Sequence, residues 1–256
     1  MTHMPLAPLR RLGIEEPSEI DIEAIAQVGD ATVIYKPLTG CAARIIGHGD
    51  RAIITVNEKA SRARQRFSAA HELGHWARDR GTAAFACSSK TFVSQWAAEN
   101  PERRANRYAA DLLLPEFMFR TRAKGRPIVV ATAEELAAEF ETSVTSSAIR
   151  LVELGSFPAM VVCTTLKGRK WFYPGPDVPK TLFPRDVPTS DSLAYDLLRG
   201  NALRTEGQDV AAAAWFDGDS AHRYSIHEDS FPVKDFVITL LWWKDEDHLL
   251  AITDDL

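Results

Sequence analysis

Phe67-Ser68-Ala69-Ala70-His71-Glu72-Leu73-Gly74-His75-Trp76 is the stretch from which the rest of the chain is read. It holds two histidines four residues apart, with a glutamate directly after the first. On an α-helix, positions i and i+4 share one face, so both imidazoles can reach one metal ion. Zinc takes imidazole nitrogen at about 2.0–2.1 Å, and a catalytic site needs three protein ligands plus an open position. At roughly 3.6 residues per turn, Glu72 lies about 100° around the helix from His71. Its carboxylate can therefore serve a water in the open position without ligating the metal. The pattern points to a zinc hydrolase with one ion per chain.

Two histidines leave one ligand to find. The next histidine after His75 is His222, so a third spaced imidazole is a poor fit. A glutamate on a following helix is the alternative, and Asn100-Pro101-Glu102 opens one. Asn is a favoured N-cap, and Pro fits the first helical position because its missing N–H has no partner there. Glu102 stands in the first turn, with Asn106 one turn later on the same face, placed to hold a ligating His71 from behind. Glu99 competes, but it precedes the cap and its aim is less fixed.

At 256 residues the chain is long enough for a real core, and its 45% hydrophobic and 25% charged residues are those of an ordinary globular protein. No stretch approaches the roughly 18 apolar residues of a membrane span. The start, Met1-Thr2-His3-Met4-Pro5, lacks a secretory layout. Cys41, Cys87 and Cys163 are scattered and odd in number, which argues for a reducing, cytoplasmic setting and against a disulfide framework or thiolate metal site. Residues 1–125 hold 18 basic against 14 acidic side chains; residues 126–256 hold 12 against 21. The back half is acidic, which disfavours a nucleic-acid grip and suits a basic protein partner.

Around the motif the chain reads as α+β. Residues 1–20, with Pro5, Pro8 and Pro17, read as an irregular lead-in, and Ser18 as the cap of a helix over Glu19–Val28. Ala31–Tyr35 reads as a strand, and Ala42–Ile46 with Ala52–Val56 as a hairpin around Gly47-His48-Gly49-Asp50. The motif helix runs from a Ser61 cap to about Arg80, with Gly81 as its stop. Residues 82–98 read equally as loop or short helices. The second helix stops before Pro115.

Ala133–Phe140 and Ser146–Leu154 form a helix-turn-helix-like pair. The segment from Thr132 to Gly155 carries only Arg150 against five glutamates, so partner docking is expected rather than direct nucleic-acid binding. Arg62, Arg64 and Arg66 read as a solvated helix entry. From Pro158 the apolar runs Met160–Cys163, Trp171–Tyr173, Ala213–Phe216, Phe236–Trp243 and Leu249–Ile252 alternate with turn residues. They predict a mostly antiparallel sheet with at least one helix, Ser190–Leu198, and a hairpin tip over residues 243–248. His222 and His227 read as a surface pair, and Trp242 and Trp243 as one buried and one partly exposed strand position. The expected domains are residues 1–125, 126–157 and 158–256.

The quoted residues resemble the ImmA/IrrE metallopeptidases. The resemblance is carried by Ile53–Asn57, by Ser61 through His75 with its Arg…Phe-Ser-x-Ala-His-Glu-x-x-His, and by Glu102-Arg103-Arg104-Ala105-Asn106 through Pro115. It implies a gluzincin-like domain in which His71, His75 and Glu102 bind zinc and Glu72 is the general base. It implies a helix-turn-helix transcriptional repressor as substrate, cut to relieve repression, with the substrate strand lying along Ile53–Asn57. It also suggests a sensory or partner-binding role for residues 158–256. The alternative is a non-proteolytic zinc-binding sensor or a toxin/antitoxin-associated interaction module.

Overall fold

The computed structural model describes residues 6–78, 100–203 and 206–254. The expected Gly81 stop, the 82–98 stretch, Cys87 and the competing Glu99 lie outside them. The chain is α+β and divides into two compact units, one of Met1–Phe119 with Ala137–Ser143, the other of Arg120–Leu136 with Val144–Leu256.

Within the expected irregular lead-in the described residues of the first unit open on a helix, α1 (Leu6–Leu12). Pro8 is tolerated because it falls in the first turn, where backbone N–H groups have no intrahelical acceptor. A 3-10 turn at Pro17–Glu19 precedes α2 (Ile22–Val28). Asp21, not Ser18, caps α2: its side chain accepts from the N–H groups of Glu23 and Ala24 at 2.9 and 3.0 Å. β1 (Ala31–Lys36), β2 (Ala43–His48) and β3 (Arg51–Asn57) form a sheet of order β1-β3-β2. β2 and β3 are the expected antiparallel hairpin, while β1 joins β3 in parallel, Ala31 opposite Ala52. β3 is therefore central. Both of its backbone edges are paired, so the substrate strand expected along Ile53–Asn57 has no donors or acceptors left there; among the described residues the outer edges of β1 and β2 carry no further strand.

Alternation sets the faces of this sheet. Ala43, Ile45, Ala52, Ile54 and Val56 are buried on one side, beneath α3 (Arg62–Arg78), which lies over β2 and β3. Ile46 and Ile53 pair across the strands on the other side and are about half exposed. Trp76 anchors the helix by donating its indole N–H to the Gly29 carbonyl at 2.8 Å. Arg66 departs from the solvated-entry reading. It is buried, donates to the Ile20 carbonyl at 2.9 Å and pairs with Glu141 at 3.3 Å. α4 (Pro101–Leu113) opens on the expected cap, with the Asn100 side chain accepting from the Glu102 N–H at 2.9 Å.

Helices α5 (Glu116–Ala123), α6 (Val130–Glu139) and α7 (Val144–Leu154) follow. α6 and α7 are the expected helix pair, each beginning a few residues early, and Arg150 is buried against Glu153 at 2.7 Å.

The second unit is built on an antiparallel sheet of order β5-β4-β8-β7-β6, from β4 (Ala159–Thr165), β5 (Gly168–Pro174), β6 (Gln208–Ala211), β7 (Ser225–Val233) and β8 (Phe236–Trp242). Between β5 and β6 lies α8 (Leu193–Arg199), capped by Ser192; α9 (Glu246–Asp254) follows β8. Three apolar readings change here. Ala213–Phe216 belongs to a 3-10 turn and its exit, because a run of small alanines lets the chain coil tightly under the sheet. Leu249–Ile252 is helical, with Leu249 and Ile252 spaced i, i+3 on one buried face, and the expected hairpin tip is the lead into that helix. Trp242 and Trp243 are both buried. His222 sits in a 3-10 turn, whereas His227 is on β7, paired with Asp209 at 2.6 Å, so the two do not share a run.

One carboxylate organises this core. Glu228 on β7 is fully buried and accepts from Ser192 Oγ at 2.8 Å, Ala194 N–H at 2.8 Å, Trp215 Nε1 at 2.9 Å and Ser230 Oγ at 3.3 Å. Burial raises its pKa above the ordinary 4.5, partly offset by those donors. Truncation to Ala strands the donors and is expected to cost about 2–4 kcal/mol in denaturant unfolding. A carboxyl with a raised folded-state pKa contributes most below its ordinary value and loses that contribution as pH rises through the raised one. The melting temperature of the native protein minus that of Glu228→Gln is therefore expected to fall between pH 4 and pH 8.

Candidate metal centre

The helical spacing of the motif translates directly into geometry. His71 and His75 lie one turn apart on α3, both buried, with Nε2 atoms 3.2 Å apart. Glu102, in the first turn of α4, brings Oε2 to 3.3 Å from His71 Nε2 and Oε1 to 3.4 Å from His75 Nε2. Among the described residues this is the one group of three metal-ligating side chains held so close. Each of the three is a residue expected from the sequence.

The separations carry the fit test. In a tetrahedron with bonds of about 2.0–2.1 Å, neighbouring ligand atoms stand about 3.3–3.4 Å apart. The imidazole–imidazole separation and the approach of each imidazole to its nearer Glu102 oxygen have that size. Two imidazole nitrogens and one carboxylate oxygen also form a donor set that zinc accepts, and three donors leave a fourth corner open. Glu102 is the least enclosed of the three, its side chain 28% exposed, so the site opens on that side.

The protonation states suit a cation. Burial pushes the His71 imidazole below its ordinary pKa and the neighbouring His75 adds to this, while Glu102 and Asn106 oppose it. His71 is accordingly neutral at neutral pH. Its Nδ1 lies 2.9 Å from Asn106 Oδ1. An amide oxygen only accepts, so the ring proton sits on Nδ1 and the Nε2 lone pair faces the other two donors. Glu72 is buried on α3, around the helix from the ligand face.

Helix–helix spacing sets Glu102 where it is. A Cβ on Gly74 would stand 3.0 Å from Tyr108 Cβ and 3.2 Å from Ala105 Cα, so α4 crosses α3 directly over the glycine. Tyr108 packs there as a neutral phenol, its pKa pushed up to about 12 by burial. The sequence reading passed over Gly74 because a glycine in a helix interior signals weakness in general and says nothing of what lies across from it. Phe67 carries no role of its own in the sequence reading beyond the motif, and its ring centroid is 6.2 Å from that of His71.

Two substitutions probe this geometry, with metal affinity measured by chelator competition. Asn106→Ala removes the acceptor that orients His71 and is expected to weaken metal binding by about 10–100-fold. Gly74→Val forces α4 away and is expected to weaken it at least as much, with a loss of stability of about 1–3 kcal/mol from overpacking.

Comparison with known proteins adds a family and a fold. Residues 27–152 match the IrrE N-terminal-like domain of the Peptidase M78 family. A search against curated proteins returns no match. Among solved structures, a Mycobacterium tuberculosis transcriptional regulator shares the fold, with a TM-score of 0.61 at 14% identity, over 99% of this chain and 80% of that one. Among the described residues no helix is long and apolar enough to cross a membrane. The matched segment spans β1 to β3, the motif helix, the Glu102 helix and the α6–α7 pair, and through it the chain belongs to the ImmA/IrrE family of metallopeptidases.

Proposed function

We propose that the protein is a cytoplasmic zinc endopeptidase that cuts one peptide bond in a regulatory protein, a helix-turn-helix transcriptional repressor, and so relieves repression. The observation that carries the reading is the convergence of His71, His75 and Glu102, with nitrogen and oxygen donors 3.2–3.4 Å apart, on a helix that also carries the buried Glu72. A structural site needs four closed ligands and no base; this one offers three donors, with a buried carboxylate on the residue that follows His71.

Bound zinc would polarise the scissile carbonyl and acidify water. His71, His75 and Glu102 would hold the ion, and Asn106 fixes the His71 ring. Glu72 takes a proton from the attacking water on its carboxylate and delivers it to the leaving amine nitrogen. The substrate segment is assigned to the outer edge of β2, which pairs with no strand among the described residues, rather than to β3. β2 lies beside β3 beneath the motif helix, and an added strand there gains backbone hydrogen bonds without displacing a neighbour. The acidic balance of residues 126–256 and the burial of Arg150 support a protein partner over nucleic acid for the α6–α7 region. The family membership and the transcriptional-regulator relative support a regulatory setting.

The test is Glu72→Gln. It is expected to retain zinc at one ion per chain and to lose cleavage of a co-expressed repressor by at least about 10²–10⁴-fold, the usual contribution of a general base. Cleavage unchanged in Glu72→Gln would sink the mechanism. Native protein that binds zinc but leaves every co-expressed repressor intact would sink the peptidase reading itself.

A further inference from the structure

The three arginines at the start of α3 do not share a role. At about 100° per residue, positions 62 and 66 lie about 160° around the helix from position 64. Arg62 approaches Glu23 and Glu141, each at 3.7 Å, and Arg66 reaches Glu141 at 3.3 Å. Arg64 is 7 residues before His71 and 11 before His75, which places it within about 20° of both, on the ligand-bearing face. It is exposed, and no carboxylate among the described residues pairs with it. Its guanidinium stands 5.9 Å from the centroid of the half-buried Phe67 ring, and Phe67 in turn lies 6.2 Å from His71. One face of the helix thus carries, in order, a free cation, an aromatic wall and the metal ligands.

We propose that Arg64 and Phe67 form a specificity subsite that takes a carboxylate of the substrate. The inference rests on the peptidase reading of the site. Seven residues of helix rise about 10 Å at 1.5 Å each, and an extended peptide advances about 3.3 Å per residue. The carboxylate therefore belongs to a residue two or three positions from the scissile bond. A guanidinium donates two parallel N–H groups to such a group, and the Phe67 face holds it forward by cation–π contact without neutralising its charge. Arg62 and Arg66 cannot substitute, being on the far side of the helix and paired.

The test is binding to the zinc-loaded full chain. The probes are phosphinic peptides, whose central phosphinate seeks the metal, carrying Asp, Ala or Lys in turn at each of three positions on either side. Each is made with a free and with an amidated C-terminus. The ratio of Kd values within one variant is the readout, which a general loss of folding or metal does not move. The native protein is expected to bind the Asp peptide about 5–10-fold more tightly than the Lys peptide at the second or third position, on one side. Arg64→Lys keeps the sign of that preference, Arg64→Gln flattens it and Arg64→Glu reverses it. Preference that survives amidation assigns the carboxylate to a side chain; preference confined to free acids assigns it to a chain terminus. Equal Kd values for Asp, Ala and Lys at every position overturn the subsite and leave the peptidase reading standing. An Asp preference unchanged in Arg64→Glu overturns it as well. Failure of every phosphinic peptide to bind overturns the peptidase reading, and the subsite falls with it.

Discussion

The close crossing of α4 over Gly74 is the contact on which the candidate site depends. Two of its three donors come free with one helix, since the i, i+4 spacing fixes them wherever that helix goes. The third comes from another helix, and its position is a packing result. With Tyr108 Cβ and Ala105 Cα at 3.0 and 3.2 Å from where a side chain would begin, α4 is as near to α3 as backbones allow. A larger residue at position 74 would carry Glu102 away from the imidazoles by the thickness of a methyl group or more. The glycine costs helix stability of about 1 kcal/mol relative to alanine, and the approach it permits offsets that cost.

Much of this was legible beforehand, because the signals were local. The Asn100-Pro101 start, the glycine-bearing hairpin and the two-histidine spacing each state their structure within a few residues. The pair of Glu102 and Asn106 was readable for the same reason, four residues apart on one helix face. What the residues could not state was adjacency between elements. Nothing in Ile53–Asn57 shows that β1 returns to pair with it and closes its edge. Arg66 looked like its neighbours until the Ile20 carbonyl and Glu141 were brought to it by other parts of the chain. Leu249–Ile252 is too short for period 2 and period 3.6 to be told apart, and tertiary contact with the Trp243 core decided for the helix.

The second unit has its own centre of gravity in Glu228. A carboxylate removed from water is tolerable only when its lone pairs are taken up, and here two hydroxyls, a backbone N–H and an indole N–H take them. Those donors come from the start of α8, from the turn carrying Trp215 and from β7 itself. A buried polar group of this kind specifies which pieces meet, whereas an apolar residue of the same size would accept several packings.

The mixed pairing of the first sheet also sets an order of events. β2 and β3 meet across a two-residue turn, so their hairpin closes over a very short loop. β1 meets β3 at a constant offset of 21 residues and must reach past β2 to do so. Loop closure grows dearer with length, and parallel pairing is slightly weaker per residue. The hairpin is thus placed to form before β1 docks, and the floor beneath the motif helix is complete only at that later step. The two histidines acquire their spacing as soon as α3 winds over that hairpin, but Glu102 joins them only when α4 packs across Gly74. In kinetic terms, the metal-sized cluster is a late product of folding built on an early, local one.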